Sequence, residues 1–508
     1  MTYAATDSLA PTVLDCDSTY RYNKDRPMPR SRTIAALTAA TLVIAAGAYV
    51  TADIYDLVPG VLTIDRPIDP DTLPPPVPEP EVTGIVAVPA PTRSDPLGTP
   101  DPTAPVPDRA ALAAVVEERL AAPGFFGSAV VQIADGPSGE VLYALDPDRP
   151  VTPASAQKLL SGAAILHTLD PGSRLTTAAV RTGPDTIALV AGGDTMLAPG
   201  AGDPDAVEGH AGLADLAEQV VERLGRGGST PEALIVSVEM TYAAGPRYAP
   251  RWNMEDVRVG YNQGVTMIGL AGQRPRPFEP SPPEPELEAV KAFTAALVEA
   301  GIPASVAAEP VLTSAVSGPR LGAVRSATVA EITALAMADS DNALTEGLSR
   351  QASASVGGPT DFEGVAQFVV DRVAGLGVDV DGAVLFDTSG MTYDQLLPAR
   401  VVSDLLTRAT TGTDPVLTPL VADLPIAGLS GTLDERFLVS STRAVAGIPR
   451  AKTGTINATA ALAGTTVTRD GRLLTFVVIA DRVPREGRLE ARLALDRLVA
   501  ALTECGCQ

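Results

Sequence analysis

Four lysines, Lys24, Lys158, Lys291 and Lys452, stand among the 38 basic residues of this 508-residue chain, and arginine fills the other basic positions. Arginine keeps its proton at any pH a protein meets, whereas a poorly solvated lysine can lose its proton and act as a base. Two of the four lie in short motifs, Ser155-Ala156-Gln157-Lys158 and Lys452-Thr453-Gly454, and Ser340-Asp341-Asn342 lies between them. Residues i and i+3 of a helix are neighbours, so the Lys158 amine is expected to reach the Ser155 hydroxyl. Burial favours the neutral amine, which is what activation of a serine nucleophile requires. Ser340 is expected to relay a proton to a leaving amine, and the Asn342 amide to hold Lys158 and bind a substrate carbonyl. Lys452 and the Thr453 hydroxyl suit a substrate carboxylate. Gly454 leaves room for a ligand backbone to pair with the strand edge, and the N–H groups of Thr455 and Ser155 suit an oxyanion.

The elements that must position these groups are readable from periodicity. Thr152 and Pro153 signal a helix start that puts Ser155 in the first turn, with apolar spacing over 159–166 behind it. An N-cap Asp108 opens a helix over 110–121, followed by strands over 128–133 and 141–145. Helical patterns cover 328–338, 342–352, 362–376 and 399–408, and Ser340-Asp341-Asn342 falls at the turn between the first two. Strands over 451–453, 460–468 and 473–479 and a last amphipathic helix over 487–502 complete a β-meander flanked by the first and last helices. Residues 179–321 mix strands (187–190, 234–238) with helices (213–224, 287–300), and the motifs resume only after them. The chain is therefore α/β (α+β): a catalytic domain of 108–178 and 322–508 with an antiparallel sheet, carrying an inserted α+β domain at 179–321.

Composition excludes several classes of function. A formal net charge of -23 with no clustered basic face beyond the N-terminal tail argues against nucleic-acid binding. Cys16, Cys505 and Cys507 make neither a disulfide framework nor a zinc ligand set, so no metal or cofactor is expected. With His167 read as a packed helix residue and His210 as a surface loop residue, a Ser-His-Asp triad has no histidine.

Residues 33–52 carry no charge and suffice for one bilayer span. Arg21, Lys24, Arg26, Arg30 and Arg32 precede the run while Asp53 and Asp56 follow, which keeps the tail 1–32 in the cytoplasm and exports the rest. Ala46-Gly47-Ala48 offers the alternative of signal cleavage and secretion. Residues 53–107 form a linker in which 15 of the 50 residues from Val58 to Pro107 are proline, a semi-rigid spacer between membrane and body.

The three motifs together resemble those of the active-site-serine penicillin-recognising enzymes, S-x-x-K, S-x-N and K-T-G. Within that group the chain is most similar to the class C low-molecular-mass penicillin-binding proteins, the D-alanyl-D-alanine carboxypeptidase/endopeptidases. Ala191-Gly192-Gly193-Asp194-Thr195-Met196-Leu197, the run from Ser340 to Glu346, Asp387-Thr388-Ser389-Gly390-Met391, Leu424-Pro425-Ile426-Ala427-Gly428 and Gly431-Thr432-Leu433 extend the resemblance over about 108–503. It implies a β-lactamase/transpeptidase-like fold and cleavage of D-Ala-D-Ala in peptidoglycan stems through an acyl-enzyme on Ser155, with β-lactams as acylating mimics. It also implies that Ser389, Trp252 and Asp256 meet substrate. Thr388 departs from the usual D-G-S-G, and Tyr393 stands where a basic residue often follows. A serine β-lactamase or esterase would use the same nucleophile and base, and a cell-wall-binding scaffold with a decayed site is the non-enzymatic alternative.

Overall fold

Strands β1 (Ala129–Asp135), β2 (Val141–Leu145), β8 (Arg450–Ile456), β9 (Ala458–Val467) and β10 (Leu473–Val483) form an antiparallel sheet in the order β2-β1-β10-β9-β8. Successive strand residues point to opposite faces, and in β10 both faces are apolar. Phe476 and Val478 pack with Leu112 and Val116 of helix α1 (Arg109–Leu120) and with Leu495, Leu498 and Val499 of the C-terminal helix Arg488–Glu504. Val477 and Ile479 pack on the other side with Leu159, Leu160 and Ala163 of helix α2 (Lys158–Thr168). Burial on both faces is why these strands read as nearly continuous apolar runs. Asp108 caps α1 by accepting from the nitrogens of Ala110 and Ala111.

A second five-stranded sheet, ordered β6-β5-β4-β3-β7, comprises β3 (Arg174–Arg181), β4 (Thr186–Val190), β5 (Leu234–Glu239), β6 (Ala304–Leu312) and β7 (Arg320–Thr328). It is mixed: β4-β5 and β5-β6 are parallel, joined through helices α3 (Leu213–Arg226) and α5 (Pro285–Glu299), while β3 pairs antiparallel with β4 and β7. A short helix α4 (Met254–Arg258) lies between them in the chain. Leu216 and Val220 of α3 and Phe293 and Leu297 of α5 form its core with Ile187, Leu189, Val236 and Val238. The paired strands β3 and β7, with Ala178 opposite Ala323, straddle the positions 178/179 and 321/322. β3, β6 and β7 carry little apolar periodicity; β6 is an edge strand without a fully buried residue, so there is little in it for pattern reading to detect.

Helices α6 (Val329–Ala338), α7 (Asn342–Ser355), α8 (Phe362–Gly375) and α9 (Ala399–Thr410) pack with α2 in one apolar cluster. Thr328 and Glu331 close a capping box at the start of α6. The computed structural model describes residues 100–226 and 231–506, all within the compact unit Pro91–Gln508. The tail, the charge-free run 33–52 and most of the Pro-rich stretch lie outside the described residues. Among the described residues no helix is long and apolar enough to cross a membrane, and Cys505 is disulfide-bonded.

Candidate active site

Ser155 lies in a 3-10 turn, Ala154–Gln157, and α2 begins only at Lys158. The sequence expectation of a serine inside the first α-helical turn is corrected here: Pro153 provides no side-chain cap, and Ala154 adopts a left-handed φ of 49°. The functional consequence is unchanged, since a 3-10 turn also brings i and i+3 together. Lys158 Nζ stands 3.0 Å from Ser155 Oγ. It lies 2.6 Å from Asn342 Oδ1 and 2.6 Å from the Ser389 carbonyl oxygen.

Lys158 is fully buried, and burial lowers its pKa from the ordinary lysine value to about 8, against the opposing charges of Asp387, Glu346 and Asp341. A neutral amine has two N–H bonds and one lone pair. The two shorter contacts are to oxygens that can only accept, so they take the N–H bonds. The lone pair is then left toward Ser155, whose hydroxyl can donate to it.

The second motif sits between α6 and α7. Ser340 is held at φ 57°, a conformation that costs a non-glycine residue about 1–3 kcal/mol. Asp341 caps α7 by accepting from the Leu344 nitrogen at 2.8 Å and also accepts from Arg274 Nε at 2.9 Å. The Asn342 Nδ2 donates to the Tyr261 carbonyl at 2.7 Å, leaving its second N–H for another acceptor.

The third motif lies on β8, whose residues Lys452, Thr453 and Gly454 pair with Ala463, Leu462 and Ala461 of β9. A Cβ on Gly454 would stand 3.0 Å from the Ala154 Cβ and 3.1 Å from the Ser155 nitrogen, so a side chain here would press on the serine turn. Thr453 Oγ1 donates to Thr432 Oγ1 at 2.9 Å. The strand, the serine turn and the second motif surround a cleft of about 1020 Å³, lined among others by Ser155, Ser340, Asn342, Thr432, Thr453 and Thr455. Neither histidine lines it: His167 Nε2 is 2.8 Å from Asp414, and His210 contacts Arg174.

The family model described as D-Ala-D-Ala carboxypeptidase 3 (S13) matches residues 112–273 and 265–502. The chain belongs to that family. This S13 carboxypeptidase chain is 36% identical over 432 residues to carboxypeptidase DacB of Mycolicibacterium smegmatis, covering 83% of this chain and 90% of the relative. A carboxypeptidase of Mycobacterium tuberculosis is 34% identical over 415 residues, covering 80% and 86% respectively. In fold it is similar to the crystal structure of penicillin binding protein 4 (dacB) from Haemophilus influenzae, with a TM-score of 0.58 at 15% identity, over 78% of this chain and 98% of that one.

Among the other residues singled out in this S13 chain, Asp256 lines the cleft and accepts from the Tyr393 hydroxyl at 3.0 Å. Burial first, and then the Asp256 charge, raise the Tyr393 phenol above its ordinary value. Three further residues expected to meet substrate are buried. Trp252 is not among the residues lining the cleft: its indole packs edge-on against Phe362 and donates to Asp387 Oδ2 at 2.9 Å. Ser389 has no exposed surface and its hydroxyl is buried without a partner; what it presents is its carbonyl, to Lys158. Lys452 is also fully buried, and its Nζ donates to the Thr453 carbonyl at 3.0 Å. Burial and the neighbouring charges of Lys158 and Arg436 hold that amine well below its ordinary pKa.

Sequence reading assigned no role to Thr432, Tyr261, Arg274 or Glu346 in this family member, although Thr432 and Glu346 lie in stretches that carry the resemblance. Thr388, the departure from D-G-S-G, has a local reason: its hydroxyl donates to Glu346 Oε2 at 2.7 Å.

Proposed function

We propose that the chain is a serine D-Ala-D-Ala carboxypeptidase of peptidoglycan stems that also opens peptide cross-links, and that Ser155, Lys158, Ser340, Asn342 and Lys452 carry the reaction. Ser155 Oγ attacks the carbonyl between the two D-alanines while its proton passes to the Lys158 lone pair. The oxyanion is held by the N–H groups of Ser155 and Thr455. Ser340 relays the proton to the departing D-alanine amine as the C–N bond breaks. Water then releases the acyl group. The terminal carboxylate is held by the Thr453 hydroxyl together with Lys452 of the same strand. Asp256 and Tyr393 form the wall that meets the rest of the stem.

The observation that carries this reading is the three-way coordination of Lys158 Nζ, which uses both N–H bonds on Asn342 and Ser389 and leaves the lone pair for Ser155. Family membership with carboxypeptidase relatives supports the substrate. The division into a catalytic part (108–178 and 322–508) and an insert (179–321) belongs to the same proposal. So does a single-pass anchor at 33–52, with 53–107 spacing the enzyme from the outer face of a bacterial membrane; secretion after cleavage is its alternative.

Incubating the full chain with purified muropeptides and identifying the products tests the activity, and mass spectrometry of the protein after β-lactam treatment is expected to find the adduct on Ser155. Absence of both D-alanine release and the adduct would overturn the reading. A serine β-lactamase would turn over the β-lactam faster than a D-Ala-D-Ala peptide; the opposite order is expected here.

A further inference from the structure

Helix α7 reaches Lys158 by two routes. Asn342 and Glu346 are four residues apart and share one face of the helix. Asn342 accepts from Lys158 directly. Glu346 acts one bond further away: its Oε1 accepts from the backbone nitrogens of Thr388 and Ser389, both at 2.9 Å, and its Oε2 accepts from Thr388 Oγ1. The Ser389 carbonyl, on the far side of the residue that Glu346 grips, is the second acceptor of Lys158. On the other flank Ser161 Oγ of α2 donates to the Thr388 carbonyl at 2.6 Å, so the loop cannot turn without breaking these bonds. Glu346 is 2% exposed, and no proton transfer described above uses it. A carboxylate left in such a place carries a large desolvation cost unless it has a task or a full set of partners.

We propose that Glu346 is a positioning residue for Lys158, an inference that rests on Lys158 being the base: Glu346 fixes the Ser389 carbonyl through the 388–389 amides, and its negative charge acts on the protonation of the amine. The charged groups around this pair are few. Lys158 comes from α2, Asp387 from the loop, Asp341 and Arg350 from either end of the same helix segment, and Lys452 from β8. Burial and the charge of Asp387 raise the Glu346 carboxyl to about 7, against the pull of its three hydrogen bonds. The ionised carboxylate favours the ammonium form, so it delays the release of the base to higher pH.

Glu346→Gln keeps an acceptor oxygen for the two amides and an N–H for the Thr388 oxygen, but removes the charge. In the full chain, the pH dependence of Ser155 acylation by a reporter β-lactam is expected to shift its acid limb down by about one pH unit. The alkaline plateau is expected to fall by less than in Glu346→Ala. Thr388→Val removes only the hydroxyl that stabilises the ionised carboxylate, and is expected to move the limb in the same direction by less. Glu346→Ala, which releases the carbonyl as well, lowers the plateau itself.

An acid limb that stays in place or moves up in Glu346→Gln, or in Thr388→Val should the former not fold, overturns the proposal and leaves Glu346 as packing. Failure of the underlying reading looks different, because the wild-type protein would then form no Ser155 adduct, or Lys158→Met would form it as fast as the wild type.

Discussion

Gly390 lies against the carbonyl of Ala154: a Cβ added to Gly390 would stand 2.1 Å from that oxygen and 3.1 Å from the Ser155 nitrogen. Both residues have positive φ, 85° for the glycine and 49° for the alanine. The loop that supplies the Ser389 carbonyl to Lys158 is thereby seated directly on the turn that carries Ser155. Gly390→Ala must push the two apart and also strain its own backbone. A displacement of about 1 Å at a reacting group can cost roughly 100-fold in rate, so acylation of Ser155 is expected to fall by about that factor. Stopped-flow acylation with a reporter β-lactam measures it, and an unchanged rate would mean that the loop does not set the geometry of the turn.

Lys158 is expected to set the pH dependence. Its pKa is lowered to about 8 by burial, and only the neutral amine can accept the serine proton. Below that pH the acylation rate is therefore expected to rise by about tenfold per pH unit, and to level off above it. Lys158→Arg keeps a cation in the site that cannot release its proton. It should cost roughly 10²- to 10⁴-fold in acylation at all pH values up to 9.

Thr453→Val removes the hydroxyl that bonds Thr432 Oγ1 and faces the cleft, with little change of volume. The expected effect is a rise in KM for a D-Ala-D-Ala peptide of about tenfold, the worth of one lost hydrogen bond of about 1.4 kcal/mol. A blocked peptide ester without the carboxylate should show no such rise; steady-state kinetics on the two substrates decides.

Trp252 is the only tryptophan of the chain; it is buried and is not among the residues lining the cleft. Asp387 accepts from its indole and also from Gly390 N, Thr392 N, Thr392 Oγ1 and Gln395 Nε2. Trp252→Phe leaves that carboxylate one donor short, at a cost of about 1–3 kcal/mol in stability. Thermal or urea unfolding should register the loss, while KM for the peptide stays at the wild-type value. The opposite pattern would return Trp252 to the substrate-binding wall.

Much of the local structure was legible because it rests on local causes. Asp108, the apolar run 141–145 and the helical spacing of 362–376 each place an element within a few residues of where it occurs. The strands β3, β6 and β7 were not legible, because their stability comes from the neighbours they pair with rather than from a periodic apolar face.

At the site, the sequence alone determined which residue types are available: two of the four lysines of the chain, a serine three residues before one of them, and a Ser-Asp-Asn between. It also determined their order, and with it the family. Only the tertiary structure decided which atom of each residue does anything. Asn342 and Ser389 come to Lys158 from 184 and 231 residues away, and whether Ser389 offers its hydroxyl or its carbonyl depends on how the loop is gripped by Glu346 and Ser161. Motif spacing encodes side-chain identity, but orientation and burial are fixed by packing against distant segments, and the pKa of Lys158 follows from that burial.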